Sequence, residues 1–258
     1  MTGQLKLLVG TVFRDASPSL ASAVDSVSTQ VGHDLSVTHL LVDDDSTDDW
    51  RACLGSRLDA PSLHVRTVSF RSASRSRNFV LDEVERAFPD VDYICRLDAD
   101  DRLAGPGVLA ELGSVLLRDR PDVLIASNLQ SCDGSILPRV NRATPDLRDP
   151  ECLVRRLERM AGGHREAELP SCNTVVRRGL TVRYPSVKSA EDHWYATMLL
   201  LDPGLRVVLA PELVYAVYRL RGDLTRLNEK RRAYLESRRR LARFARARVG
   251  LEATHGSH

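Results

Sequence analysis

Four apolar runs, each ending abruptly in polar or charged residues and each followed by a helical pattern, constrain this chain most. The first, Leu5-Lys6-Leu7-Leu8-Val9-Gly10-Thr11-Val12-Phe13, is nearly continuous apolar, as a strand buried in a parallel sheet should be. Ser17-Pro18 then offers an N-cap and a proline at the first helical position. Leu20, Ala23, Val24, Val27 and Val31 recur at helical spacing, and Gly32 ends the helix. The second run, Val37-Thr38-His39-Leu40-Leu41-Val42, enters Asp43-Asp44-Asp45-Ser46-Thr47-Asp48-Asp49. There Ser46 or Thr47 can cap the next helix, with Asp48 and Asp49 favourable in its first turn. A third strand is predicted over 63–70, a helix over 74–88, a fourth strand over 91–97, a helix over 106–118 and a fifth strand over 123–129. Strands alternating with helices predict an open α/β sheet, whose ligand crevice lies at the carboxyl ends of the strands. Thr11, Phe13, Arg14, Asp43, Asp45, Arg71, Asp98 and Asp100 all fall at those ends.

The fourth run closes as Tyr93-Ile94-Cys95-Arg96-Leu97-Asp98-Ala99-Asp100-Asp101, with three carboxylates in its last four residues. Like charges at one strand end repel unless a cation or donor-rich ligand sits among them. Carboxylate oxygens suit Mg²⁺ or Mn²⁺, which share their shell with substrate phosphates. The competing reading is a solvated acidic turn.

The 258 residues, 43% of them hydrophobic, suffice for one large domain or a domain with an appended subdomain, and the lack of repeats or a low-complexity linker favours one continuous unit. No run approaches the roughly 18–20 apolar residues of a membrane span. The start of the chain lacks a signal-type segment, so a cytoplasmic protein is expected. Cys53, Cys95, Cys132, Cys152 and Cys172 are odd in number and scattered, which argues against a disulfide framework. Between 226 and 248, ten basic residues stand against Glu229 and Glu236, a formal +8. With a net charge of only +2, the remainder of the chain is −6. An acidic body thus carries a basic tail helix over 224–249. That helix can pack Leu227, Tyr234 and Leu241 on the body or on a second copy, giving a homodimer. Its charge also suits weak association with anionic membranes.

Beyond residue 131 the pattern loosens. Cys132-Asp133-Gly134-Ser135 resembles a hairpin turn, and helices are predicted over 150–160 and 191–201. Strands are predicted over 171–177 and over 205–218, the latter interrupted near Pro211.

Five features in order give the chain a resemblance, over about residues 5–222, to family 2 inverting glycosyltransferases of the GT-A fold. They are Thr11-Val12-Phe13-Arg14 at the end of the first strand; Val42-Asp43-Asp44-Asp45-Ser46-Thr47-Asp48, which is similar to V-D-D-G-S-T-D with Asp45 in place of glycine; Ala73-Ser74-Arg75-Ser76-Arg77-Asn78, like an A-R-N helix start; Leu97-Asp98-Ala99-Asp100-Asp101, like D-x-D; and Glu191-Asp192. The resemblance implies a GT-A (Rossmann-like) α/β fold. It has a mixed, mainly parallel central sheet flanked by helices, a C-terminal acceptor region and a long basic C-terminal helix. The expected division is 1–130 for the nucleotide-sugar half, 131–222 for the acceptor and catalytic half, and 223–258 for the basic helix and tail.

The resemblance implies transfer of a sugar from a UDP-, GDP- or dTDP-linked donor to a hydroxyl of a small or soluble acceptor, with inversion and with no nucleic acid involved. Asp43 and Asp45 would meet the base edge, with Thr11, Phe13 and Arg14 as the other wall. Asp98 and Asp100 would hold Mn²⁺ or Mg²⁺ on the diphosphate, Asp98 also approaching the ribose. Arg71, Arg75 and Arg77 can assist with phosphate. Asn78 reads as a structural hydrogen-bonder. Inversion needs a carboxylate base. Chemistry alone does not choose between Glu191 and Asp192; the resemblance favours Asp192, with Glu191 orienting the acceptor. His164 and His193 are further candidates for acceptor contact. Where many relatives carry a metal-ligand histidine, this chain has Arg221, which cannot ligate a cation but can bind the diphosphate as a fixed charge. Two other readings remain: a nucleotide-sugar-binding protein without catalysis, and a sugar nucleotidyltransferase. The latter is disfavoured because no glycine-rich phosphate loop follows the first strand.

Overall fold

A computed structural model describes residues 4–32, 34–132, 135–219 and 232–251. The strands are β1 (Leu5–Phe13), β2 (Leu35–Asp44), β3 (Leu63–Val68), β4 (Tyr93–Arg96), β5 (Arg102–Leu103), β6 (Val123–Cys132), β7 (Ser135–Asn141), β8 (Thr174–Arg177) and β9 (Val207–Arg219). The helices are α1 (Ser17–Ser28), α2 (Trp50–Leu54), α3 (Ala73–Ala87), α4 (Val108–Asp119), α5 (Pro150–Ala161), α6 (Glu191–Leu200) and α7 (Arg232–Val249).

All the strands join one sheet in the order β3-β2-β1-β4-β8-β6-β9-β5, with β7 paired to β6. β1 to β4 pair in parallel, as their continuous apolar runs predict. β8 runs antiparallel between β4 and β6, so the second half of the sequence is woven into the sheet of the first. β1 sorts its side chains by parity. Leu7 and Val9 pack with α1 and α4, whereas Leu8 and Val12 pack with α3, α5, α6 and α7. Gly10 lies where a Cβ would sit 2.6 Å from Val80 of α3, so its bare backbone lets that helix approach the sheet.

Several local expectations are corrected. Ala16, not Ser17, is the N-cap of α1, and Ser17 instead donates its N–H to Asp48 at 2.7 Å and its hydroxyl to the same carboxylate. α2 is capped by Asp49, which accepts from Ala52 N at 3.2 Å, rather than by Ser46 or Thr47. β9 passes through Pro211 as one strand: its register on β6 jumps from Ala126↔Ala210 to Ser127↔Val214. The bulge absorbs the missing proline N–H, and Ser127 Oγ donates to Pro211 O at 2.8 Å. α7 lays Leu241, Ala242 and Ala245 into the core beside α5, and Tyr234 donates its hydroxyl to Glu168 at 3.0 Å. The basic helix is therefore docked on the body in part. Leu227 lies outside the described residues. No helix among the described residues is long and apolar enough to cross a membrane.

Candidate active site

The carboxyl ends of β1, β2 and β4 lie side by side, because Phe13 is in register with Asp43 and Gly10 with Arg96. The opposing wall comes from the first turn of α6, which presents Glu191 and Asp192, and from the start of α3, which presents Arg77. Between them sits an ionic cluster. Arg96, only 8% exposed at the end of β4, donates from Nε to Asp98 Oδ1 at 2.9 Å and from Nη2 to Asp98 Oδ2 at 2.5 Å. Arg77 donates to Asp98 at 3.2 Å and pairs with Glu191 through its other nitrogen. Arg96 Nη1 lies 4.0 Å from Asp192, whose Oδ2 accepts the Ser171 hydroxyl at 2.8 Å. Ser171 is held in turn by Arg96, which donates to its carbonyl at 3.4 Å.

Two guanidiniums therefore serve three carboxylates. Burial pushes the Asp98 carboxyl up, but Arg96 and Arg77 outweigh it and hold the group below its ordinary value. Burial likewise opposes ionisation of Asp192. The adjacent His193, Arg96, Arg77 and the Ser171 hydroxyl reverse that and keep the group well below the usual carboxylate range. His193 is itself buried, and desolvation lowers its pKa. Asp101 goes the other way: burial and the neighbouring Asp100 and Asp98 raise it well above the carboxylate range, although it accepts Arg219 N at 2.7 Å. An acid whose pKa rises on folding loses stability as pH climbs from its unfolded value, about 4, toward its folded value. Asp101→Asn keeps the acceptor oxygen for Arg219 and removes the group that must take up a proton on folding. It should raise stability at pH 7 by on the order of 1 kcal/mol. Thermal unfolding between pH 4 and 8 tests this; a variant less stable than the parent at pH 7 contradicts it.

The nucleotide wall expected from sequence is only partly present. Thr11 is fully buried, with its hydroxyl 3.0 Å from His39 Nε2. Phe13 is 3% exposed and packs edge-on against Trp50 at 5.1 Å. Asp43 uses one oxygen to accept Ser46 N at 2.9 Å and the other to accept Trp50 Nε1 at 3.2 Å. These three brace the wall from behind, because β1 turns Thr11 and Phe13 toward the α1 and α2 side of the sheet. Arg14, Asp45 and Arg71 do reach the surface of the crevice edge. Arg71 clasps Asp45 at 2.5 Å. Asp45 has φ of 65°, the left-handed conformation that glycine would take and that aspartate tolerates. Arg75 stacks on Phe70 at 4.5 Å. Asn78 behaves as the structural bonder expected, exchanging hydrogen bonds with the Tyr184 backbone at 2.8 and 2.9 Å. His164 is exposed, 3.3 Å from Glu166. Arg221 lies outside the described residues.

Three contributors were not singled out from the sequence. Asp44 accepts the N–H groups of Phe70, Arg71 and Ser72 at 2.7, 2.8 and 2.9 Å and so ties the α3 start to β2. Ser171 orients Asp192. Arg96 was detectable, because a charge inside an apolar strand must find a buried partner.

Among the described residues no group of three or more His, Cys, Asp or Glu side chains is arranged to hold a metal ion. Asp98 has both oxygens on guanidiniums, while Asp100 is exposed beside it. The residues fit a divalent ion held through Asp100 and ligand phosphates, the shell Mg²⁺ and Mn²⁺ adopt at phosphate sites, and not an all-protein cage.

No family model matches the sequence, and no curated protein sequence matches it. Solved structures do match. The chain is similar to S. aureus TarS 1–349 in complex with UDP-GlcNAc, with a TM-score of 0.70 and 17% identity over 97% of this chain and 68% of that one. TarS 1–349 without that ligand gives 0.63 and 15%, over 83% and 60%. The mannosyltransferase PcManGT from Pyrobaculum calidifontis, in complex with GDP-Man and Mn²⁺, gives 0.56 and 16%, over 98% and 76%. The fold is that of the GT-A glycosyltransferases. The chain spans 60% of the length of TarS 1–349 in the structure without that ligand, 68% in the UDP-GlcNAc complex, and 37% of the longer TarS chain.

Proposed function

We propose that the protein is an inverting glycosyltransferase that moves a sugar from a nucleoside-diphosphate sugar to a hydroxyl of a small or soluble acceptor, with Asp192 as base. The observation that supports this most is the placement of Asp192. It is oriented by Ser171 and faces the β4 end across Arg96, and the charges around it favour its ionised form. That is where a base must stand if the diphosphate lies on the strand ends. The acceptor hydroxyl gives its proton to Asp192 as its oxygen attacks the anomeric carbon from the side opposite the diphosphate. The bond from that carbon to the phosphate oxygen breaks, and the nucleoside diphosphate leaves.

Arg77 and Arg96 carry fixed positive charge to this point, where negative charge develops on the leaving group. A divalent ion bound through Asp100 would supply further charge neutralisation there. Arg14, Asp45 and Arg71 offer polar groups to the nucleoside. The nucleotide-bound neighbours, with UDP-GlcNAc and with GDP-Man and Mn²⁺, support a UDP- or GDP-linked donor and a divalent ion. A nucleotide-sugar-binding protein without turnover is the second reading, favoured by the engagement of both Asp98 oxygens with arginines.

Thermal unfolding with UDP, GDP and dTDP, each with and without Mn²⁺, tests the first step. Binding to the folded state alone raises the Tm by mass action, equivalent to about 2.7 kcal/mol at a hundred times Kd. At least one nucleotide should raise the Tm, and more with Mn²⁺. No shift with any of them removes both readings. Donor hydrolysis with Mn²⁺ then separates the two: turnover supports the transferase, and binding without turnover supports the second.

A further inference from the structure

A second polar space lies outside the strand-end cluster. It is an open cleft of about 480 Å³ between β6, β7, the segment at 144–146, α5 and the turn at 166–167. Its lining includes four arginines, Arg142, Arg155, Arg156 and Arg159, against two carboxylates, Asp146 and Glu166. Three of the arginines have acidic neighbours, one of them the lining residue Glu166. Arg142 lies 3.4 Å from Glu212, Arg155 lies 3.4 Å from Glu151, and Arg159 lies 2.8 Å from Glu166. In all three pairs both side chains are exposed, so solvent screens them.

Arg156 is different. Its guanidinium donates only to neutral oxygens: Ala167 O at 3.1 Å, Glu168 O at 2.8 Å, Thr144 Oγ1 at 3.3 Å and Asn141 Oδ1 at 3.3 Å. No carboxylate among the described residues comes within ion-pair distance of it. Desolvation lowers its pKa, and the nearby Asp146 carboxylate offsets this only in part. A half-buried guanidinium at the wall of a polar cleft, with three more around the opening, is complementary to an oxyanion. Phosphate suits it best, because the exposed guanidinium forks of Arg155 and Arg159 can bind its oxygens in pairs while Arg156 adds fixed charge at the wall.

We propose that this cleft binds a phosphate group carried by the acceptor. The volume exceeds what a phosphate alone needs and falls in the range of small-molecule sites, leaving room for the body of the acceptor. Its position fits that role. Ala167 lines the cleft, and Ser171, four residues on, orients Asp192. An extended chain of that length reaches roughly 14 Å at most. The same Arg156 that would meet the phosphate fixes the Ala167 and Glu168 carbonyls, and so the start of the segment leading to Ser171. The acceptor role rests on the transferase reading above; phosphate binding in the cleft does not.

Calorimetric titration of the full chain with inorganic phosphate tests the proposal. The protein pairs are wild type against Arg155→Gln/Arg159→Gln, whose exposed side chains leave the fold intact, and against Arg156→Gln. Saturable binding is expected in the wild type, weakened about tenfold or more in both variants. The nucleoside-diphosphate Tm shift should be unchanged in Arg155→Gln/Arg159→Gln. Absence of phosphate binding in the wild type, or equal affinity in the double variant, overturns the proposal; equal affinity would place the anion at the strand ends instead. If no nucleotide shifts the Tm while phosphate binding stays sensitive to Arg155 and Arg159, the transferase reading fails and the anion site stands.

Discussion

Asp192→Asn is expected to lower turnover by about 10²–10⁴-fold, the range for loss of a general base, while leaving nucleotide binding near wild type. Asparagine preserves the shape and still accepts the Ser171 hydroxyl, so the change removes proton affinity and charge without opening a cavity. Glu191→Gln is the informative companion. Glu191 is bound to Arg77, and its loss frees that arginine without removing the base, so a much smaller fall is expected. The pH profile carries a signed prediction. Because its surroundings hold Asp192 well below the usual carboxylate range, it stays ionised on acidification. The rate should show no acid limb from this group near pH 4, where an unperturbed aspartate would give one. Steady-state rates for both variants and a profile down to pH 3.5 check this. An Asp192→Asn enzyme that keeps more than half of wild-type turnover rules out the assignment.

Arg96→Met is the second large effect. Arg96 is buried, holds both oxygens of Asp98 and stands 4.0 Å from Asp192. Methionine approximates its volume, so the lost interaction is electrostatic. Asp98 and Asp192 are left sharing Arg77. Removing one partner of a buried pair costs about 3 kcal/mol. Because Arg96 lowers the folded pKa of Asp98, it contributes stability above the unfolded carboxylate value that is lost as pH falls through the folded value. Arg96→Met should therefore be most destabilising near neutrality and less so in acid. Its carboxylates, with one cation gone, should bring an acid limb in activity up into the measurable range. Arg96→Lys should restore part of the stability and none of the two-oxygen clasp. Urea unfolding at pH 7 and at about pH 2, well below the unfolded carboxylate value of about 4, gives the comparison. Equal stability losses at both pH values would show that Arg96 acts through packing alone.

The carboxyl-end location of the candidate site was legible because it follows from topology. Parallel strands joined by helices bring all their ends to one edge, so Arg14, Asp45, Arg71 and Asp98 gather there whatever the details. Asp192 became the candidate base only through the resemblance, since an acid at a helix start is commonplace. What sequence patterning missed is mainly direction. Thr11, Phe13 and Asp43 belong to the correct strand ends but turn inward, because Trp50 of α2 and His39 of β2 wait on that side. The caps failed for a related reason. Asp48 is near α2 in sequence yet serves α1 in space, and no local rule contains that contact.

The sequence by itself determined the alternation of strands and helices, the parallel pairing of β1 to β4, and the acidic ends that make this edge the candidate site. Those are properties of hydrophobic period and chain connectivity, which act locally. The tertiary structure alone decided that β8 passes antiparallel between β4 and β6, bringing Ser171 and hence Asp192 to the β4 end. It alone decided that Arg96 and Arg77 take up the charge of Asp98, and that α5 carries into a cleft a guanidinium with no carboxylate of the described residues within ion-pair distance. Each depends on charges far apart in sequence meeting at low exposure, where a few ångströms separate a paired ion from an unpaired one.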